Sequence, residues 1–349
     1  MLARLPRPIA ILFVALFLAT CAWCLSTPPG KVSKAPKGHY TDMMLFRDIV
    51  AQVDAGKDYY VAATELQRAH HYPTRPFVTV REPTLYVAAS ELGWPTLNLL
   101  EEMLAGLVIV IWLLALPPPV MWLEKLVAAG CVATACLAPI AISLTPMSEA
   151  WCGLFLALAL GLTLWSHARW WMPLIVIAAA LTLRELALPF LLLAVAFALW
   201  ERRWKELVAW AVVLVLFAVG MAWHAANVTD VQLPGDLHSA GWSGALGLRG
   251  VLLALANTTI LHKLPMQIAL VIALLPALGW LSLDGRRGYF AALLLFGYAL
   301  MIALFSRSDN FYWGFTMIPA WFAGLALVPR AVIQLYSAIT RPRRSLRAR

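Results

Sequence analysis

The sequence predicts an all-α integral membrane fold. Three observations carry that prediction: an apolar composition, apolar runs of membrane-spanning length, and clusters of basic residues at particular turns. Of 349 residues, 62% are apolar and 13% charged, where soluble domains carry about 25% charged residues. Mean hydropathy is +0.77, so water is the wrong solvent for most of this chain. A hydrocarbon core about 30 Å thick needs close to 20 apolar residues per helix, and such runs recur from position 8 to position 333. The net charge of +9 gathers at Arg4 and Arg7, at Arg202, Arg203 and Lys205, at Arg286 and Arg287, and in the tail 341–349. Under the positive-inside rule these are cytoplasmic ends. The basic balance therefore reads as topology, not as a nucleic-acid footprint, and membrane lipids are the expected surroundings. Cys21, Cys24, Cys131, Cys136 and Cys152 all fall in apolar runs and read as small buried hydrophobes.

The first apolar run, 8–25, follows a basic start and lacks a clean small-x-small cleavage site, so it is expected to be a signal-anchor helix with its N-terminus inside. Residues 26–97 then form a large extracytoplasmic loop. Residues 98–117 return inward, Pro117-Pro118-Pro119 turn the chain, 120–142 go out, and 149–166 re-enter to a turn at 167–169. As one helix, 170–200 would span roughly 46 Å, too long for the core, and it carries Arg184, Glu185 and Pro189. Two short helices meeting at 184–189 bring the charges to the outer surface, where they avoid a cost of several kcal/mol each. Residues 206–225 go out, a second extracytoplasmic loop covers 226–263, and 264–283 return to the Arg286/Arg287 turn. Residues 287–305 go out and 311–333 come back to a basic cytoplasmic tail, 334–349. The expectation is a single membrane domain of about 10 transmembrane helices, both termini cytoplasmic, in a bacterial inner membrane.

Polar chemistry falls almost entirely on the outer side. A transporter more often places polar groups near the bilayer midplane, so the one-sided placement favours an enzyme at the outer face. In the first loop Leu45, Phe46, Ile49 and Val53 recur at helical spacing, predicting an amphipathic helix that opens near Asp42 and stops at Gly56. Asp42 sits at or just before that helix N-terminus, and a helix cap alone accounts for it. Other polar residues have equally plain readings. Arg184 and Glu185 can pair with each other, Arg307 can snorkel, Glu101 and Glu102 can cap a helix or face solvent, and Tyr312 and Trp313 suit an interface. His39, His70 and His71 read as surface loop, since adjacent histidines rarely share one metal and no ligand spacing accompanies them. Asn227-Val-Thr and Asn257-Thr-Thr are glycosylation sequons that matter only in a eukaryotic secretory route.

Asp42 followed by an apolar helix, Gly56 and the Tyr59-Tyr60 pair resembles the first extracytoplasmic loop of GT-C glycosyltransferases, multi-pass enzymes that use polyprenyl-phosphate-linked sugars. Arg81-Glu82-Pro83-Thr84-Leu85-Tyr86 is similar to the segment where that family carries a Pro-Pro-Leu-like motif. Arg184-Glu185-Leu186 and Arg307-Ser308-Asp309-Asn310-Phe311-Tyr312-Trp313 resemble segments of bacterial members. Thr84 stands where the family has a second proline, and Tyr72-Pro73-Thr74 where Tyr-Pro-Pro is common, so the class of acceptor does not carry over. The resemblance implies Asp42 as the base that activates or orients the acceptor, and Arg184, Arg307 and Arg81 as donor-phosphate ligands. It also implies Tyr59, Tyr60, Glu185, Asn310, Tyr312 and Trp313 as substrate contacts. Glycosyl transfer builds positive charge on the sugar and negative charge on the departing phosphate, needs that a carboxylate and an arginine fork meet. The implied partners are a polyprenyl-phosphate sugar and a lipid, glycan or protein acceptor. A divalent ion is compatible with the class, although ligand spacing does not call for one. Two other classes remain open: a transporter or flippase of a lipid-linked substrate, and a non-catalytic subunit of a cell-envelope assembly complex.

Overall fold

A computed structural model describes residues 1–26, 40–117, 119–141 and 144–340. Expectations for His39 and the tail 341–349 lie outside the described residues. Helix α1 (Arg7–Ser26) is followed by three short helices of the first loop, α2 (Asp42–Asp54), α3 (Tyr59–Ala69) and α4 (Thr84–Leu92). Then come α5 (Trp94–Ala115), α6 (Trp122–Ala141), α7 (Ser148–Leu164), α8 (Trp171–Leu181), α9 (Leu188–Trp200) and α10 (Trp204–Asp230). The chain closes with α11 (Gly247–Asn257), α12 (Met266–Trp280), α13 (Gly285–Phe305), α14 (Ile318–Trp321) and α15 (Val328–Thr340). Among the described residues there is no sheet, only an isolated bridge between Arg75 and His238.

Five helical segments among the described residues are long and apolar enough to cross a membrane: α1, α5, α10, α13 and Ile318–Thr340. Shorter apolar helices, α7, α8, α9, α11 and α12, pack between them. This is a helical membrane protein.

The first loop is a folded cap. Thr41 rather than Asp42 is the N-cap of α2, its Oγ1 accepting the Met44 N–H at 3.3 Å; Asp42 is the first helical residue. The helix ends at Asp54, before Gly56 at φ 88°, a left-handed conformation that glycine takes without strain. Leu45, Phe46, Ile49 and Val50 bury one face of α2 against Tyr59, Tyr60, Leu85 and Tyr86, and that core reaches the bundle through Leu97, Trp151 and Val228. Each such side chain stabilises the cap by about 1.5–3 kcal/mol.

Helices α8 and α9 meet as two short pieces around the turn Glu185–Ala187, with Arg184 extended between them. Elsewhere the chain departs from expectation. The segment 226–263 is not wholly loop: α10 runs on to Asp230, and α11 buries Val251, Leu252 and Leu255 against its neighbours. The expected span 311–333 is no single regular helix. Turns of 3-10 helix fill Phe311–Thr316 and Phe322–Leu327, and a regular helix resumes only at Val328. Close packing is the cause: a Cβ on Gly279 would strike the Gly324 carbonyl, so this stretch follows its neighbour's backbone. Residues 334–340, expected as tail, continue α15 and bury Leu335 and Ala338 beside α1.

Candidate functional site

Charges in so apolar a bundle belong at its surface, yet Glu149, Arg184 and Glu82 are only 0%, 4% and 8% exposed. They converge with Arg81 where the first loop meets α7 and the α8–α9 junction. Arg81 Nη2 lies 2.8 Å from Glu149 Oε1. Arg184 Nε is 3.2 Å from the same oxygen, at ion-pair distance but without hydrogen-bond alignment. Arg184 Nη1 reaches Glu185 Oε2 at 3.1 Å and Glu82 Oε2 at 3.9 Å, and Glu82 Oε1 accepts the Glu185 backbone N–H at 3.1 Å.

Local structure explains each position. Glu149 occupies the first turn of α7, where unpaired N–H groups and the helix dipole favour a carboxylate. Arg184 is extended because α8 has ended at Leu181. Arg81 and Glu82 precede Pro83, which opens α4 and holds the preceding chain out of the helix. The Arg81 carbonyl accepts the Tyr59 hydroxyl at 2.8 Å. Its guanidinium lies 5.9 Å from the ring centroids of both Phe46 and Tyr312, cation–π contacts that strengthen when desolvated.

Burial, then the neighbouring Glu185 carboxylate, push Glu82 up to about 8. Burial thus favours the protonated form of Glu82, which leaves Glu149 and Glu185 as the carboxylates facing the two arginines. Glu82 Oε2 has no hydrogen-bond partner, a costly state for a buried oxygen unless a proton or ligand meets it.

The residues expected from the sequence divide into four groups. Arg81, Arg184, Glu185 and Tyr312 come together. Tyr59 and Tyr60 are buried beneath them and serve the backbone: the Tyr60 hydroxyl lies 3.2 Å from His224 Nδ1, while His224 Nε2 lies 3.1 Å from the Val80 carbonyl. With Nε2 donating to that carbonyl, Nδ1 accepts from the phenol, and both tyrosines fix the Val80–Arg81 segment. Arg307 stands apart, 27% exposed, pairing with Asp309 at 2.9 Å and with the Gly241 carbonyl at 3.0 Å. Asn310 lies beside it, and Trp313 is buried in the bundle core. Asp42 is half-buried and accepts the Tyr72 hydroxyl at 2.8 Å. It makes no ion pair among the described residues, but Phe46, four residues on along the same helical face, lies under Arg81.

Glu149 and His224 had no signal in the sequence beyond a lone acid opening an apolar run and a lone histidine near a helix end. Glu82 stood inside a quoted fragment without a role. Glu101 corrects an expectation outright: it is 0% exposed rather than solvated, and accepts the Thr145 hydroxyl at 2.7 Å. Thr145 meets it from the turn before α7, a contact across 44 residues.

Next to the cluster a cavity of about 320 Å³ separates α8 from α10, lined by Leu181, Leu216, Phe217 and Met221, with Glu82 and His224 at its polar end. It opens to the outside of the bundle, where α10 is largely unpacked and Leu216 is 65% exposed. Among the described residues no three His, Cys, Asp or Glu side chains gather as a metal-ligand set.

Fold and site together define a polytopic helical membrane protein with a buried ion cluster at one end of its bundle and an apolar groove leading to it. Compared with protein-family models, curated proteins and solved structures, the chain matches none.

Proposed function

We propose that the protein is a glycosyltransferase of the GT-C type that takes a sugar from a polyprenyl-phosphate donor at the extracytoplasmic face. In this reading the chain makes about ten passes, with both termini cytoplasmic. One observation carries it: Glu82, at the polar end of an apolar groove between α8 and α10, belongs to the cluster that holds the buried Arg81 and Arg184, which suits a ligand with a phosphate head and a long hydrocarbon tail. The tail lies along α10 and the phosphate meets Arg184 and Arg81. Of the carboxylates on Arg184, Glu185 is the most accessible, 24% exposed, so the entering phosphate replaces it there.

The acceptor oxygen attacks the anomeric carbon, forming the new glycosidic bond as the bond to the phosphate oxygen breaks. Polyprenyl phosphate leaves with the electron pair, its charge held by the two guanidinium groups. Asp42 takes the acceptor proton as its oxygen bonds; it lies at the rim, one helical turn from the ring under Arg81.

The test is transfer from a panel of polyprenyl-phosphate sugars to membrane acceptors, using purified wild type, Asp42→Asn and Arg184→Lys of equal folded yield. Each variant is expected to lose about 10²-fold or more of the rate. Transfer by neither wild type nor variants, across a broad donor panel, would sink the enzyme reading in favour of a carrier or an assembly subunit.

A further inference from the structure

The opposite end of the bundle holds a second charged cavity that glycosyl transfer does not use. Leu162 and Thr163 on α7 line it, about 20 Å along that helix from Glu149. We propose that it binds an anionic phospholipid, the phosphate on Arg169 and Arg287 and an acyl chain in the groove beside α13.

Charge points to an anion. The cavity, about 200 Å³, is walled by Arg169, Arg203, Arg286 and Arg287 and by the single acid Glu206, together with Trp165 and Trp210. Two of these arginines are already committed: Arg203 pairs with Glu206 and with Glu201 at 2.6 Å, and Arg286 pairs with Glu201 at 2.7 Å. The side chains of Arg169 and Arg287 have no ion-pair or hydrogen-bond partner among the described residues. Two positive charges are left over in a half-enclosed, aromatic-walled site, a setting in which a phosphodiester gains two planar donor forks.

Shape points to a lipid rather than a soluble phosphate. A second cavity of about 560 Å³ shares Phe197 and Arg286 with the first and runs along Tyr289, Leu293 and Phe296. A soluble ester has no use for that apolar extension, whereas a glycerolipid fills both. Trp170 lines the first cavity and Trp200 the second; with Trp171 and Trp204, next in the chain to Trp170 and to the cavity-lining Arg203, they are exposed by 41%, 81%, 41% and 58% in that order and mark the headgroup level where indole rings settle. Basic pockets between membrane helices recognise anionic headgroups by this combination.

Native mass spectrometry of the delipidated full chain, titrated with phosphatidylglycerol, phosphatidylcholine or glycerol 3-phosphate, tests it. Phosphatidylglycerol is expected to be retained over phosphatidylcholine. The double change Arg169→Gln/Arg287→Gln is expected to weaken phosphatidylglycerol binding about 25-fold, roughly fivefold per arginine. Arg202→Gln/Lys205→Gln, exposed basic residues on the same turn outside the cavity, is expected to weaken it less than about fivefold. Leu293→Trp, at a 55% exposed position, fills the groove and is expected to lower lipid retention with all the arginines in place. Equal retention of both lipids, equal losses in the two double variants, or no effect of Leu293→Trp would overturn the proposal. Displacement of phosphatidylglycerol by equimolar glycerol 3-phosphate would reassign the site to a soluble phosphate.

Discussion

The two ends of the bundle carry similar numbers of charges and use them differently. Beneath the first loop Arg81 and Arg184 are buried among Glu82, Glu149 and Glu185, so every charge depends on a specific neighbour. At the other end Arg169 and Arg286 are exposed and two arginines lack counterions. A buried charge without its partner costs several kcal/mol, while an exposed one is solvated at little cost. Burial, not charge count, therefore decides which end has fixed geometry and which has attraction to spare.

The sharpest way to break this contrast is Glu149→Gln. It leaves both Arg81 and Arg184 without their shared carboxylate oxygen, and a loss of about 3–5 kcal/mol is expected, read by thermal or denaturant unfolding in detergent. Unchanged stability would mean that water reaches the cluster and that it is buried in name only.

The pH dependence of unfolding sharpens the same point. Glu82 is raised from 4.5 to about 8 in the folded chain, so within that window the folded state binds more protons than the unfolded one. Its contribution to stability is full below about 4.5, falls as pH rises through the window, and is lost above about 8. Glu82→Gln is expected to remove that slope; an identical profile in wild type and variant would place the carboxyl in water.

A smaller effect is expected from Glu185→Gln. If the entering phosphate replaces this carboxylate on Arg184, neutralising it lowers the KM for the donor by about fivefold, a gain of about 1 kcal/mol, with kcat little changed. A raised KM would make Glu185 a substrate ligand instead. Arg307→Gln is expected to do least. The Arg307–Asp309 pair is 27% and 65% exposed, and exposed pairs contribute about 0–1 kcal/mol. A large loss of donor binding in that variant would bring Arg307 into the phosphate site after all.

Particular residues show how much could be read in advance. The α2 helix was readable because Leu45, Phe46, Ile49 and Val53 repeat at its period, and the break at Arg184 because a charge pair and a proline interrupt an overlong apolar run. Arg81, Arg184 and Glu185 were readable as polar groups at helix ends. That Arg81 and Arg184 meet at Glu149 was not, since that carboxylate comes from a third element far along the chain. The broken course of 311–327 was equally hidden, because its cause is the backbone of α12 at Gly279. The sequence reading puts Arg307 ahead of Arg81 as a phosphate ligand, since sequence position does not distinguish a buried guanidinium from a rim one.

That this is a helical membrane protein follows from composition and pattern alone: the need to satisfy backbone groups within each helix and to bury apolar surface in lipid acts residue by residue along the chain. Packing in three dimensions sets which charges share a low-dielectric site, which tyrosines serve the backbone, and where the groove opens. Those outcomes depend on contacts between elements distant in sequence, and no local pattern of residues encodes the distance between them.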